Sequence, residues 1–169
     1  MNTRELTLTA VFAALYATMV IILAPISFGP VQLRLADALI PFSAFFGMPV
    51  IIGVSLGALV GNFYWFLSPI DVILGAFANL ISSYIIYKCR DNLLVSSVVG
   101  SIIIGSIVGG YLWLFFPPPS ILNLYLPVWL AMIISITISS LISVSILGVG
   151  LVKALRKTGY LERYKENFT

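Results

Sequence analysis

The sequence predicts an all-α membrane protein: one integral membrane domain, a bundle of six transmembrane helices with both termini in the cytoplasm. Three observations carry that expectation. Hydrophobic residues make up 60% of the 169 and charged residues 9%, against about 25% charged in an ordinary soluble domain. Mean hydropathy is +1.11, which means more apolar surface than a chain of this size can hide from water. Apolar runs close to spanning length are separated by Pro, Gly and charged residues, and the basic residues gather at the run ends.

The expected spans are residues 6–24, 37–48, 50–67, 69–87, 93–116 and 126–152, followed by a cytoplasmic basic tail, 153–169. The first run exceeds the about 7–15-residue core of a secretory signal and ends in Ala24-Pro25 rather than a small-x-small site, so it reads as a retained span. Ser68-Pro69-Ile70-Asp71 reads as a helix start, with Ser68 as N-cap, Pro69 in the first turn and Asp71 at the third position. Pro117, Pro118 and Pro119 stop the fifth run. Residues 37–48 are short for a crossing, and topology decides them. If they cross, Arg4, Lys88, Arg90, Lys153, Arg156, Lys157, Arg163 and Lys165 all fall in the cytoplasm and only Arg34 lies outside. If they do not, most positive charge becomes external, against the positive-inside rule. In the tail, Leu151, Ala154, Leu155, Tyr160, Leu161 and Tyr164 form an apolar stripe beside basic residues, an anchor for the inner leaflet.

Small residues mark where helices pack. Gly53, Gly57 and Gly61 recur every four residues and lead into Asn62, leaving one face of that helix bare for a close neighbour. Gly105 and Gly109 do the same on the fifth span, and Ser135, Ser139 and Ser143 on the sixth. On the first span Ala10, Ala13, Ala14 and Ala17 make two overlapping small stripes. They can pack inside the bundle or be offered to another subunit, and spacing alone does not choose.

Polar groups inside hydrocarbon are costly and need a reason. Asp37, Asn62, Asp71 and Asn79 are the candidates, with Gln32 and Arg34 at the mouth. Asp71, Gly75 and Asn79 share one helix face, and in the six-span topology Arg34, Asp37, Asn62 and Asp71 all lie toward the outer half. Each has a plain structural reading too: Asp71 as a helix-start acid, Arg34 and Asp37 as an interfacial pair, and the asparagines as helix-to-helix hydrogen bonds. Trp65, Trp113, Trp129, Tyr64, Tyr111 and Tyr125 fall near the outer ends and suit an aromatic belt. Trp65, three positions after Asn62, is the one best placed to stack on a flat ligand.

The loop Ala24-Pro25-Ile26-Ser27-Phe28-Gly29-Pro30-Val31-Gln32-Leu33-Arg34-Leu35-Ala36-Asp37-Ala38-Leu39, the segment 57–62 and Asp71-Val72-Ile73-Leu74-Gly75 together resemble the QueT family, substrate-binding S components of energy-coupling factor (ECF) transporters. The likeness extends over most of the first ~90 residues; beyond them only length and hydrophobicity match. It implies a six-helix bundle of the S-component type in the cell membrane. Its cargo would be a queuosine precursor, a 7-deazaguanine such as 7-aminomethyl-7-deazaguanine, captured outside and delivered inward. The implied partners are a transmembrane coupling subunit and two cytoplasmic ATPases, with Ala10, Ala13, Ala14 and Ala17 as the docking face. Family members often carry Glu at the position of Asp37; this chain has the shorter Asp.

The side-chain chemistry suits such a ligand. A carboxylate accepts the two-donor edge of a guanine-like ring, a carboxamide serves its carbonyl edge, a second carboxylate neutralises an ammonium, and an aromatic face stacks on the ring. Gln32, Arg34, Asp37, Asn62, Trp65, Asp71 and Asn79 are therefore the expected substrate-binding set, with the division between the two acids left open. No catalytic residue, metal site or cofactor is expected. Histidine is absent, Cys89 is a lone interfacial thiol, and neither a Gly-rich phosphate loop nor a Ser-His pair occurs. The competing classes are an S component for another vitamin-like solute, a solitary carrier or channel that works without ATPases, and a structural subunit with no ligand.

Overall fold

The structure, a computed structural model, describes residues 2–27, 33–117 and 126–159. Among them the chain is helical throughout: α1 (Thr3–Ile22), α2 (Ala24–Ser27), a 3-10 segment (Leu35–Phe42) running into α3 (Ser43–Phe46), α4 (Met48–Tyr64), α5 (Pro69–Lys88), α6 (Leu93–Leu112), α7 (Val128–Ser140), a π-helical segment (Leu141–Gly148) and α8 (Val149–Lys157). Four helices are long and apolar enough to cross a membrane: Thr3–Ile22, Pro69–Lys88, Arg90–Leu112 and Val128–Lys157. Leu35–Phe46 and Met48–Tyr64 are shorter apolar helices at the places of the second and third expected spans. The Gln32 position and the tail stripe at Tyr160, Leu161 and Tyr164 lie outside the described residues, as does Tyr125.

Pro41 accounts for the unusual second element. Its ring crowds the carbonyl four residues back, that of Asp37, and it has no N–H to donate, so the run winds as a 3-10 helix. A 3-10 helix rises about 2.0 Å per residue, which stretches the eight residues 35–42 to about 16 Å before α3 adds about 6 Å. The segment therefore reaches further than its length suggests. Gly47 ends it at φ +65°, and Pro49 opens α4. Ser43 Oγ donates to the Ser83 carbonyl (2.9 Å), which ties α3 to α5.

The glycine stripe has one partner, α1. A Cβ at Gly53 would lie 2.8 Å from the Thr9 carbonyl oxygen; at Gly57, 2.7 Å from both the Ala13 carbonyl oxygen and Tyr16 Cβ; at Gly61, 2.8 Å from Val20. Gly109 leaves room for the backbone of Ile133 in α7, 2.5 Å from its would-be Cβ, and Gly105 does so for Thr137. Ser135, Ser139 and Ser143 are all buried, as a packing stripe requires.

The α7-to-α8 run is one continuous helix that widens to π geometry in the middle. Ser101 Oγ, 2.9 Å from the Ser97 carbonyl of its own helix, also lies 3.1 Å from the Ser140 carbonyl and 3.2 Å from Ser145 Oγ there. Gly148 backs onto the 3-10 segment, its would-be Cβ 2.8 Å from the Ala38 carbonyl and from Pro41. The two irregular helices thus pack on each other, and both border the same interior. The 93–116 span ends as a helix at Leu112, and residues 113–116 form a turn.

Candidate substrate site

Two hydrogen-bonded chains occupy the interior. In the first, Asn79 Nδ2 (α5) donates to the Tyr16 hydroxyl (α1) at 2.7 Å, and that hydroxyl donates to Asp37 Oδ1 in the 3-10 segment. In the second, the Tyr111 hydroxyl (α6) donates to Asp71 Oδ1 at 2.8 Å, and Asn62 Nδ2 (α4) donates to the Asp71 carbonyl at 3.1 Å. Ser68 Oγ accepts from the Asp71 N–H at 3.1 Å, the expected N-cap. Asp71 therefore serves its helix start through its backbone and leaves its carboxylate for other work.

Arg34 sits between the chains, buried and within electrostatic reach of Asp37 and Asp71. Gly75 makes the meeting possible. A Cβ there would lie 2.5 Å from Asn62 Nδ2, 3.7 Å from the Tyr111 hydroxyl and 3.8 Å from Arg34 Nη1. One guanidinium against two carboxylates gives the trio a formal negative excess of one. Such a charge in a low-dielectric interior favours a cationic or donor-rich guest.

Not every polar atom is satisfied. Asp71 Oδ2 and Asn62 Oδ1 are buried and accept no hydrogen bond among the described residues. Each unmet acceptor costs about 1–3 kcal/mol. A cavity opens beside Arg34 and Asp37, walled by Ile104, Val108, Ile136 and Ser140. It leaves ≈ 10 Å³ for the centre of a water-sized body, enough for about one water. A ring-sized guest therefore requires the surrounding helices or loops to part.

Of the residues singled out by the sequence, Asp37 and Asn79 are buried in the first chain, Asn62 and Asp71 in the second, and Arg34 is buried within electrostatic reach of both acids. Trp65 is not sealed in with them. It caps the C-terminus of α4, 48% exposed, with its ring 6.0 Å from that of Tyr64. Trp113 and Trp129 are exposed too, as a belt requires. Tyr111 departs from that belt: it is buried and bonded to Asp71. Tyr16, bridging Asp37 and Asn79, is the member of the network that the sequence reading misses. Its one signal is a hydroxyl in mid-span, on the same i, i+4 face as Phe12 and Val20.

The alanine stripes separate. Ala10 and Ala14 are exposed, flanked by exposed Leu6, Val11 and Leu15. Ala17 is buried and Ala13 lies against α4, where its backbone meets Gly53 and Gly57. The docking face expected from all four is thus open only at Ala10 and Ala14, because α4 already covers the other side of α1.

Apolar helices of this length around a buried polar cluster define a multi-pass membrane protein. The family model described as QueT transporter matches residues 6–157, and the chain belongs to that family. A curated relative, "Queuosine precursor transporter QueT" of Lactococcus lactis subsp. cremoris (strain MG1363), is 39% identical over 82 residues. That stretch is 47% of this chain and 47% of the relative, so the two match over about half of each. No solved structure matches.

Proposed function

We infer that the protein is the substrate-binding component of an ECF-type importer, taking up a queuosine precursor of the 7-deazaguanine class from outside. The observation that carries this is the gathering of Asp37 and Asn79 in one buried hydrogen-bonded chain and Asn62 and Asp71 in another, with buried Arg34 within electrostatic reach of both acids and acceptor atoms left over. Unmet hydroxyls also occur at buried serines such as Ser135 and Ser143, so it is the charge and amide of Asp71 and Asn62, gathered with Arg34, that point to a guest. A guanine-like ring supplies N–H donors to them, and an aminomethyl ammonium answers the negative excess. Membership of the family and the relative's name support the same cargo.

In this reading six helices cross, with Leu35–Phe46 and Met48–Tyr64 as the two short crossings and the termini in the cytoplasm, in keeping with the positive-inside rule. The exposed Ala10–Ala14 face of α1 receives a coupling subunit, and partner ATPases supply the energy. Purified protein in detergent should be thermally stabilised by 7-aminomethyl-7-deazaguanine and not by adenine, thiamine or riboflavin; stabilisation by none of the deazapurines would remove this cargo. Flux of the same compound into liposomes holding this chain alone would favour a solitary carrier.

Docking has its own test. Ala14→Trp should leave ligand binding within about threefold of wild type while abolishing co-purification of a coupling subunit, since α1 turns that residue outward. Retained co-purification would move the docking surface elsewhere.

A further inference from the structure

The two acids are not equivalent in their surroundings. Asp37 has its needs met from within: the Tyr16 hydroxyl donates to Oδ1, Asn79 holds that hydroxyl from the other side, and Arg34 shares the adjoining cavity wall. The Asp71 carboxylate spends one oxygen on Tyr111, and Oδ2 stays unmet. Asn62 commits its amide Nδ2 to the Asp71 backbone carbonyl, which fixes the amide plane and leaves Oδ1 as a second unmet acceptor. Both residues are fully buried. Two unmet acceptors on two residues that are hydrogen-bonded to each other can answer a guest with two donors.

Resting on the deazaguanine reading above, we propose that Asp71 and Asn62 read the ligand's 2-amino and ring N–H edge, while Asp37, clamped by Tyr16 and Asn79, is the internal counter-ion of Arg34. Specificity for the 2-amino-4-oxo pyrimidine ring then resides at Asp71. A ring without the amine leaves a buried carboxylate oxygen bare, and sites built on such bonds reject the lacking analogue strongly.

The test is calorimetric titration of the full chain with 7-aminomethyl-7-deazaguanine, its analogue lacking the 2-amino group, and its analogue lacking the aminomethyl group. Wild type should bind the compound without the 2-amino group about 100-fold more weakly than the parent. Asp71→Asn should compress that ratio to about tenfold or less while leaving the aminomethyl preference unchanged. Asp37→Asn should weaken all three ligands by a common factor. If Asp71→Asn instead erases the aminomethyl preference and keeps the 2-amino ratio, Asp71 is the ammonium partner and the proposal is overturned. It is overturned equally, whatever becomes of the variants, if wild type binds the 2-deamino analogue within about threefold of the parent, the unmet acceptors then being served by water. Binding of none of the three by wild type would overturn the cargo reading and this assignment with it.

Discussion

Gly57→Leu is expected to unseat α1 from α4 and leave little folded protein. The cause is steric and local. The would-be Cβ meets the Ala13 carbonyl oxygen and Tyr16 Cβ, both at 2.7 Å, inside any real carbon contact. Neither neighbour is the far end of a flexible chain, so the clash cannot be relieved by a rotamer change. The helices must separate, and Tyr16 must leave Asp37 and Asn79 as they do. Overpacking a tight core costs about 1–3 kcal/mol, occasionally more, and here the loss of the buried bonds at Tyr16 adds to it. Unfolding in detergent, followed by helix ellipticity, should show a markedly lower midpoint. Gly110→Leu on α6 is the control: nothing lies within 4 Å of its would-be Cβ, and its midpoint should stay close to wild type. Equal midpoints for the two variants would mean that the stripe does not face α1.

That contrast also measures what a sequence can reveal about such a bundle. The four-residue spacing of Gly53, Gly57 and Gly61 marks a close-approach face, but nothing in it names the partner, since any helix can fill a bare groove. Asp71 and Asn79 are legible as one face because charge and amide stand out against Ile, Leu and Val. Tyr16 is not: in an apolar run a tyrosine reads as another large hydrophobe, and its hydroxyl gains meaning only when Asp37 and Asn79 come within reach. Tyr111 is hidden by its position near a helix end, where tyrosines ordinarily face the interface. The irregular winding of the second segment goes unread when 37–48 is taken as a plain short span, although Pro41 lies within it and local sterics account for the 3-10 geometry. The π segment has no comparable local mark; its residues are ordinary, and it is bounded by contacts with Ser101 and the 3-10 helix. The stripe at Ala10, Ala13, Ala14 and Ala17 is ambiguous in the same way as the glycines, because a small residue fits either a neighbour or an open face.

Asp37→Ala is expected to destabilise the fold by about 3–5 kcal/mol, the range for removing one member of a buried charge pair. The carboxylate does three things at once. It accepts from Tyr16, it gives Arg34 an opposite charge, and through Tyr16 it holds Asn79 of α5 to α1. Removing it takes one of the two carboxylates within electrostatic reach away from a guanidinium that borders Ile104, Val108 and Ile136. Tyr16→Phe removes the bridge but not the charge, and should cost about 1–3 kcal/mol. Because both changes break the same hydrogen bond, the double variant should lose less than the sum, by about 1 kcal/mol or more in a double-mutant cycle. Asp37→Ala with Arg34→Met tests the charge separately: removing both members should recover much of the stability that the first change loses, as apolar replacements of buried pairs do. Reversible unfolding in mixed micelles supplies each of these free energies. Strict additivity of Tyr16→Phe and Asp37→Ala would show that the hydroxyl and the carboxylate act apart, and the clamp that keeps Asp37 from the ligand would have no physical basis.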